Sequence, residues 1–581
     1  MLKFSDYISN MADNPNGNFA QLLEQIARDH AGKDAILYRP VGNKEFTRWS
    51  FSRYGNECRR VARGLLGAGL VKGDRVVLWA ENRPEWMAAW MGAVIAGLSI
   101  VPVDFLVTEQ ECLNIIRITR AKAFFHSGKK QEFADSLGGE GVEMAATVCI
   151  SPGRNGGGSE FDGFGTGDGG VALPDPDGIS PDHPASIVFT SGTTGVAKGV
   201  TLSHRNIIAN ASAAIRILEP NEKDVFIDVL PLHHTYPTTC CFIAPISFGI
   251  PTVIVDRVIG DVIRADARDA GVTFFIGVPL LFDKFMAGAE KKITGIKKLF
   301  LAGPRRKTLA LAKQGKPEFG RNHSLLRKVR AKFDLASVRM MVAGGGPLNP
   351  TTADFFDSLG FNIVQGYGMS ENSPLITVNT PRHKRNESVG LPVSYTTVKI
   401  FEPNEEGIGE IGCTSPSVML GYFENEEATG EVIRTIDGER WLLTGDLGKI
   451  DGDGFVHILG RKKNLVVTAA GKNIYPEEIE VLFSSRTIAE ILVVGRRARD
   501  GSGETVFAVV VPNYDNIRED FPGKENDEAF IRAEVKKLVE DANRRLPPYK
   551  KIGDFTLRRE PFEKNAQQKI KRFMYKEYEN G

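Results

Sequence analysis

The sequence has few cysteines and no cysteine pattern. Its 581 residues include six cysteines with no C-x-x-C and no paired spacing: Cys58, Cys112, Cys149, Cys240, Cys241 and Cys413. Disulfide frameworks and structural zinc sites both depend on such patterns. The sequence therefore argues against either one and indicates a reducing compartment.

An excess of one charge and a long apolar run are also missing. The 73 basic and 72 acidic residues leave a formal net charge of +1, so we expect no nucleic-acid partner. A membrane span needs about 20 apolar residues, and the best candidate, "WMAAWMGAVIAGLSIVPV", carries Gly97 and Pro102. We predict a buried helix followed by a strand there. The N-terminal stretch lacks the apolar core of a signal peptide, so we expect a cytoplasmic protein.

The composition is that of an ordinary globular protein, and the sequence predicts alternating strands and helices. Hydrophobic residues make up 42% and charged residues 25%, and the length predicts two or more domains. The succession "DRVVLWA", "PEWMAAWMGAVIAG", "SIVPV" and "AKAFFH" predicts an α/β domain with a mainly parallel sheet. Short β segments follow from about Gly407, and the last ~120 residues predict a small separate α+β unit.

The stretch from Lys291 to Lys332 has a helical sequence pattern and is rich in basic residues. Its basic residues are Lys291, Lys292, Lys297, Lys298, Arg305, Arg306, Lys307, Arg327, Lys328, Arg330 and Lys332. Charge runs are usually solvated helix faces. The alternative is attraction to anionic lipid, which would place the protein peripherally on the inner face of the membrane.

The stretch "FTSGTTGVAKG" (189–199) combines glycines, hydroxyls and one lysine. When a Walker pattern is counted from Gly192, Lys198 fits, but Ala197 and Gly199 stand where glycine and Ser/Thr are required. The flanks "ASIVFT" and "VTLSH" predict a strand on each side rather than a following helix. We interpret the stretch as a phosphate-binding loop of another kind; the alternative is a plain turn.

Four further stretches follow in order: "AGGGPL" (343–348), "QGYGMSENSP" (365–374), "WLLTGDLG" (441–448) and "GRKKNLVVTAAGKNIYPEEIE" (460–480). Together with the loop, they resemble the adenylate-forming superfamily of acyl-CoA synthetases, luciferases and adenylation domains. The resemblance extends from "WSFSRYG" to "KIKRF" and is strongest to long-chain fatty acyl-CoA synthetases. It implies that ATP, with Mg²⁺, activates a carboxylic acid as acyl-AMP, and that coenzyme A then displaces AMP.

The resemblance also implies a domain division and a path for the thiol. A large N-terminal domain of mixed and parallel sheets (1–460) would be joined through a hinge (461–463), with Lys463 at its centre, to a small mobile α+β domain (464–581). Gly471 and Lys472 would flank the path of the pantetheine arm, because a side chain at the glycine would block it.

The nucleotide-binding residues implied by the resemblance are Thr190, Ser191, Gly192, Thr193, Thr194, Gly195, Lys198, Gly344, Gly345, Gly346, Gln365, Gly366, Tyr367, Gly368, Ser370, Asp446 and Arg461. The loop would grip the β- and γ-phosphates with backbone N–H groups, hydroxyls and one cation. Tyr367 would stack on adenine, with core packing as the alternative. Asp446 would accept both ribose hydroxyls, which suits an acceptor-only carboxylate.

The catalytic residues implied are Ser370, Glu371, His234 and Lys569. Ser370, where the superfamily more often has threonine, would bond the α-phosphate, and Glu371 would hold Mg²⁺. His234 of "LPLHHTYP" matches the family histidine beside the reacting carboxylate. We do not expect His233 and His234 to bind a metal, because adjacent side chains point apart and the sequence shows no third ligand.

The closing motif departs from the family. Lys569 aligns with the lysine that bridges carboxylate and α-phosphate, but "NAQQ" (565–568) replaces the usual small residues before it. We expect an acyl-CoA ligase for medium- or long-chain fatty acids. The alternatives are an acyl-AMP or acyl-carrier-protein ligase and a non-catalytic paralogue that binds ATP and fatty acid. The apolar stretches "CCFIAPISFGI" and "FFIGVPLLF" would line the acid tunnel. The alternative is that they are ordinary core strands, which are also apolar.

Overall fold

A computed structural model describes residues 17–151, 160–167, 170–190, 197–293, 296–468, 472–483, 485–497, 504–564 and 570–579. Its strands are β1 (Asp34–Arg39), β2 (Thr47–Ser50), β3 (Arg75–Trp79), β4 (Ser99–Pro102), β5 (Ala123–His126), β6 (Ala146–Cys149), β7 (Pro184–Thr190), β8 (Lys198–Ser203), β9 (Phe226–Asp228), β10 (Thr252–Val255), β11 (Phe274–Gly277), β12 (Met340–Ala343), β13 (Ile363–Gly368), β14 (Leu375–Val378), β15 (Leu391–Pro392), β16 (Thr397–Phe401), β17 (Gly409–Thr414), β18 (Gly421–Tyr422), β19 (Ile433–Ile436), β20 (Glu439–Ile450), β21 (Val456–Arg461), β22 (Val466–Val467), β23 (Asn473–Ile474), β24 (Ile488–Arg497), β25 (Glu504–Pro512) and β26 (Asp554–Leu557).

The helices are α1 (Phe19–Asp29), α2 (Phe51–Gly67), α3 (Pro84–Ile95), α4 (Glu109–Thr119), α5 (Gln131–Ser136), α6 (His204–Leu218), α7 (Thr235–Pro237), α8 (Ala244–Ser247), α9 (Gly260–Asp269), α10 (Pro279–Lys292), α11 (Ile296–Lys313), α12 (Glu318–Asn322), α13 (Ser324–Ala331), α14 (Pro350–Ser358), α15 (Glu426–Val432), α16 (Pro476–Glu480), α17 (Tyr514–Asp520) and α18 (Glu528–Arg545). Within the described ranges, none of these helices combines the length and apolar character needed to cross a bilayer.

Two large sheets dominate the N-terminal part. One has the order β15-β14-β13-β12-β11-β9-β10-β1-β2 and the other β18-β8-β7-β4-β3-β5-β6. Strands β1, β9, β10, β11, β12 and β13 pair in parallel, as do β3 with β4 and β5. The predicted α/β architecture is confirmed, including the buried helix α3 and strand β4 in the membrane-span candidate.

Local sequence explains these elements. Helix α2 starts where the Ser50 hydroxyl accepts from the Arg53 N–H, and helix α6 starts with a capping box between Ser203 and Asn206. Such caps satisfy backbone donors that have no partner within the helix. Every residue of helix α3 except Glu85 is buried, which explains why this helix has no polar face.

The chain then enters a five-stranded antiparallel sheet, in which β21 pairs with β20, and a separate C-terminal sheet of order β24-β25-β26. Strands of the C-terminal sheet pack with α18 around a core of their own, which includes Val493, Ala508, Val510 and Val535. The predicted small α+β unit is therefore present. The hinge at 461–463 stays a prediction.

Candidate functional site

The phosphate loop is held at its two ends by a strand pair. Thr190 ends β7, Lys198 begins β8, and the two residues face each other in the antiparallel register. The Thr190 Oγ1 lies 3.5 Å from the Lys198 carbonyl oxygen. The predicted strand–loop–strand arrangement is confirmed at these flanks, while five of the predicted loop residues lie outside the described residues: Ser191, Gly192, Thr193, Thr194 and Gly195.

Lys198 and Glu371 both contact Tyr422. The Lys198 Nζ lies 5.0 Å from the centre of the Tyr422 ring and 3.5 Å from Glu431 Oε2. The Tyr422 hydroxyl donates to Glu371 Oε1 at 2.7 Å, and burial together with Glu371 raises the pKa of that phenol. Tyr422 therefore stays a neutral donor. The sequence did not single it out.

Glu371 and Ser370 lie on a 3₁₀ turn directly after β13. Glu371 is buried, and its carbonyl oxygen accepts from the Met419 N–H at 2.8 Å. The Ser370 Oγ lies 3.1 Å from the Thr235 Oγ1. This hydroxyl pair brings the turn next to the segment that carries His234.

The carboxylate of Asp446 is the centre of a second cluster. Antiparallel pairing of β20 with β21 places Asp446 opposite Arg461, and the Arg461 Nε lies 2.7 Å from Asp446 Oδ1. The Tyr367 hydroxyl donates to Oδ2 at 2.6 Å, and Arg461 Nη1 donates to the Thr444 carbonyl. The tyrosine predicted to stack on adenine is thus fixed by the carboxylate predicted to hold ribose.

Electrostatics connect the two clusters. Burial lowers the pKa of Arg461, but Asp446, Tyr367 and Glu371 outweigh this effect and raise the pKa above its ordinary value. Burial and Asp446 raise the pKa of the Tyr367 phenol well above its usual range. Arg461 therefore remains a cation and Tyr367 a neutral donor at any physiological pH.

The predicted adenine-slot glycines follow β12. A Cβ on Gly344 would come within 2.7 Å of the Tyr236 ring, so only glycine fits there. Gly345 has a φ of +80°, and Gly346 is less crowded, with Pro279 at 3.8 Å. The Gln365 Nε2 lies 3.5 Å from the Gly346 carbonyl oxygen.

The remaining glycines of the β13 motif are constrained by the neighbouring strand. A Cβ on Gly368 would lie 2.0 Å from the Pro374 carbonyl oxygen, and one on Gly366 would lie 3.0 Å from the Leu375 side chain. These glycines therefore have a packing reason, independent of any ligand, to be present in the motif.

The structure corrects our expectation for the two histidines. Their rings do not point apart: the ring centres are 4.1 Å apart and the two Nε2 atoms 3.2 Å apart. A third group is also present, since Asp104 Oδ1 lies 3.5 Å from the His233 Nε2. The segment is a loop entering α7, not a strand, so side chains need not alternate. Burial, with His233 close by, lowers the pKa of His234 to about 3, so its ring is neutral.

The predicted hinge and thiol path lie at the start of the C-terminal part. Lys463 is exposed on a 3₁₀ turn, where its neighbour Lys462 pairs with Glu410 at 2.8 Å. Lys472 closes a turn with Thr468 through two hydrogen bonds of 3.0 Å. Gly471 lies outside the described residues.

Lys569 also lies outside the described residues, but the chain on both sides of it is anchored. Lys564 and Ile570 form an antiparallel bridge, and Lys564 Nζ lies 2.5 Å from Glu490. Arg572 Nη2 contacts both carboxylate oxygens of Glu480 at 2.5 and 2.6 Å. Glu480 and Arg572 were not singled out from the sequence, because their pairing depends on the tertiary fold.

These clusters draw on all three large sheets. Tyr422 and Lys198 belong to the seven-stranded sheet, Tyr367 to the nine-stranded sheet, and Asp446 to the five-stranded sheet. The result is a set of cationic, carboxylate and aromatic side chains contributed by three sheets, a combination of convergent polar groups that is typical of ligand sites.

Comparison with known proteins agrees with this arrangement. Residues 23–423 match the family described as AMP-binding enzyme. The chain is 28% identical over 493 residues to the long-chain-fatty-acid–CoA ligase ACSBG2 of Homo sapiens, covering 80% of this chain and 73% of that protein. It is 29% identical over 497 residues to a long-chain-fatty-acid–CoA ligase of Yersinia pestis, covering 77% and 78%.

Solved structures share the fold across nearly the whole length. The anthranilate CoA ligase AuaEII in complex with anthranoyl-AMP superposes with a TM-score of 0.76 at 21% identity, covering 97% of this chain and 98% of that one. ATP-bound MatB from Rhodopseudomonas palustris gives a TM-score of 0.75 at 24% identity, covering 96% and 98%. With the family match extending over more than half of its residues, this chain belongs to the AMP-binding enzyme family, the adenylate-forming enzymes.

Proposed function

We propose that this protein is an ATP- and Mg²⁺-dependent ligase that activates a medium- or long-chain fatty acid as acyl-AMP and transfers the acyl group to coenzyme A. The observation that carries the proposal is the convergence of Lys198, Tyr422 and Glu371 with the Tyr367–Asp446–Arg461 cluster. Similarity to two long-chain-fatty-acid–CoA ligases, human ACSBG2 and the Yersinia pestis enzyme, supports the choice of acid and thiol.

Each of the two clusters binds a different part of ATP. Lys198 adds positive charge where pyrophosphate leaves, and Ser370 donates a hydrogen bond to the α-phosphate. Asp446 accepts from ribose while it holds Arg461 and Tyr367 in place.

Glu371 fits the Mg²⁺ ion that the family uses. It is a buried carboxylate that accepts from Tyr422, whose ring lies close to Lys198, and this one hydrogen bond engages only part of the lone-pair capacity of its oxygens. Mg²⁺ prefers carboxylate oxygen next to substrate phosphates. When bound, the ion would supply charge that neutralises the phosphate oxygens.

A pyrophosphate-release assay over fatty, aromatic and branched acids tests the proposal. Turnover should be greatest with a medium- or long-chain fatty acid and should consume coenzyme A. Acyl transfer only to a carrier protein would replace this proposal with the acyl-carrier-protein ligase. Binding of ATP and fatty acid without pyrophosphate release would indicate the non-catalytic paralogue.

Removing the Tyr422 hydroxyl tests its link to Glu371. Tyr422→Phe leaves the ring beside Lys198 but removes one hydrogen bond to a buried carboxylate, worth about 1.5–3 kcal/mol. We expect the Mg²⁺ concentration that gives the half-maximal rate of acyl-AMP formation to rise roughly tenfold. Tyr395→Phe, at an exposed tyrosine, is the matched control. An unchanged Mg²⁺ profile in Tyr422→Phe would contradict the assignment.

Glu480 should position the segment that carries Lys569. Glu480→Gln removes the charge that holds Arg572 through two short contacts, so acyl-AMP formation should fall about tenfold. Conversion of supplied acyl-AMP to acyl-CoA should change little. Glu478→Gln, on the same helix but paired with Lys550, is the control. Equal loss of both half-reactions would indicate a general folding defect instead.

We also propose that the protein associates peripherally with a membrane through residues 291–332. Arg330 is buried against backbone carbonyls, and Lys291 and Lys313 pair with Glu519 and Asp354. Among the basic residues of 291–332 whose side chains are described, those that are exposed and outside these ion pairs are Arg306, Lys307, Lys316, Arg327, Lys328 and Lys332.

Vesicle co-sedimentation tests this association. Each basic residue near an anionic surface contributes ~1 kcal/mol, so Arg327→Glu with Lys328→Glu should weaken binding by at least ~2 kcal/mol, roughly thirtyfold. Wild-type binding should fall as salt rises. The pair Lys536→Glu and Lys537→Glu on α18 has the same charge change and should have little effect. Salt-independent binding, or none, would refute the association.

A further inference from the structure

Asp104, His233 and His234 form a cluster that the proposed reaction does not fully use. Their ligand atoms all lie within 4.8 Å of one another. We propose that these three side chains bind a divalent transition-metal ion of the Zn²⁺ class, separate from the Mg²⁺ that accompanies ATP.

The spacing of the ligand atoms suits such an ion. Tetrahedral Zn²⁺ takes nitrogen and oxygen ligands at about 2.0–2.2 Å, which places neighbouring ligand atoms about 3.3–3.6 Å apart. The His233 and His234 Nε2 atoms are 3.2 Å apart, and the His233 Nε2 lies 3.5 Å from Asp104 Oδ1. The one hydrogen that the His233 Nε2 can carry cannot be donated fully to both the His234 Nε2 and Asp104 Oδ1. A cation between these three atoms would be bound by all of them.

The kind of ligand selects the ion. Two imidazole nitrogens and one carboxylate oxygen suit Zn²⁺, Co²⁺, Ni²⁺ or Cu²⁺, while Mg²⁺ prefers oxygen ligands and water. Three protein ligands also leave one coordination position open, as in sites that accept water or a substrate oxygen.

Hydrogen bonds hold the Asp104 side chain and the backbone at Asp104 and His234 in place without an ion. The Asp104 carbonyl accepts from the Trp79 indole N–H at 2.9 Å, and its Oδ1 accepts from the Leu106 N–H at 2.9 Å. On the other side, the Thr238 hydroxyl donates to the His234 carbonyl at 2.8 Å. His233 is itself buried. Binding of the ion would therefore require little further ordering of these two segments.

The site adjoins the predicted reaction centre. Thr235, the next residue after His234, lies 3.1 Å from Ser370 through their hydroxyl oxygens. An ion on His234 would occupy the side chain predicted to lie beside the acid, so Zn²⁺ should inhibit acyl-AMP formation. This consequence rests on the proposed function, whereas metal binding does not.

Titration of the full chain with Co²⁺, followed by visible absorption in excess Mg²⁺, tests the site. We expect one Co²⁺ per chain with the absorption of a four-coordinate ion, displaced by Zn²⁺. Asp104→Asn keeps an oxygen for the Leu106 N–H, and His233→Asn removes one nitrogen ligand. Loss of outer-shell partners already costs 10–100-fold in metal affinity, so each variant should bind at least ~10-fold more weakly.

His457→Gln is the matched control, because His457 pairs with a single carboxylate, Asp451, at 2.9 Å. It should leave the Co²⁺ titration unchanged. Absence of four-coordinate absorption in the wild type would overturn the proposal without any variant. So would superimposable titrations of the wild type and a folded Asp104→Asn protein. If the protein binds Co²⁺ but forms no acyl-AMP even in the absence of Co²⁺ and Zn²⁺, with ATP, Mg²⁺ and fatty acids supplied, the metal site stands and the proposed function alone is refuted.

Discussion

Lys569→Ala should lose acyl-AMP formation by about 10²–10³-fold while still converting supplied acyl-AMP to acyl-CoA. The first half-reaction crowds negative charge between the carboxylate and the α-phosphate, and a preorganised cation acts there. The second half-reaction has no such need for Lys569. Single-turnover assays of each half, with folding checked by circular dichroism, measure the difference.

The neighbouring lysine provides the control. Lys571 lies on the same segment, with its Nζ 3.7 Å from Glu563 Oε2, and Lys571→Ala should keep both half-reactions near normal. Gly471→Leu should give the reverse defect, because a bulky side chain narrows the pantetheine path. It should form acyl-AMP but transfer the acyl group poorly.

The hinge prediction completes this test. Lys463→Pro would fix φ near −65° and should trap one domain arrangement, leaving one half-reaction near normal. If folded Lys569→Ala and Gly471→Leu proteins lose both halves equally, the two halves do not depend on separate C-terminal residues. The interpretation of this chain as an alternating-domain ligase would then be wrong.

Local pattern was enough to predict the strands that hold the phosphate loop. An apolar, β-branched run on each side of a glycine-rich stretch specifies strand–loop–strand, and β7 and β8 pair as expected. Asp446 was singled out by the family resemblance, and "TGD" lies within β20; its contact with ribose stays a prediction.

Contacts between distant segments could not be predicted in this way. Tyr422 reaches Glu371 because β18 pairs with β8, and the sequence around Tyr422 carries no sign of that pairing. Asp104 reaches His233 because its strand end and the histidine loop meet in the tertiary fold. The error about the histidines had a local cause: alternation of side chains applies to strands, and this segment is a loop.

The predicted role of Asp446 can be separated from its role in holding protein groups. Asp446→Ala removes an acceptor for ribose and also releases Arg461 and Tyr367. Loss of charge-assisted hydrogen bonds of about 1.5–3 kcal/mol each should raise the KM for ATP by ~10²-fold or more, at about 1.4 kcal/mol per tenfold. Asp453→Ala, at an exposed carboxylate in the adjoining turn, should have little effect.

Deoxynucleotides distinguish the two roles. If Asp446 accepts the ribose hydroxyls, 2′-deoxy-ATP and 3′-deoxy-ATP should be poorer substrates than ATP for the wild type, yet nearly equal to ATP for Asp446→Ala. The hydroxyl and the carboxylate would then form one interaction, and the two losses would not add. If the losses add fully, Asp446 acts only by positioning Arg461 and Tyr367. A wild-type KM for ATP in folded Asp446→Ala would contradict both roles.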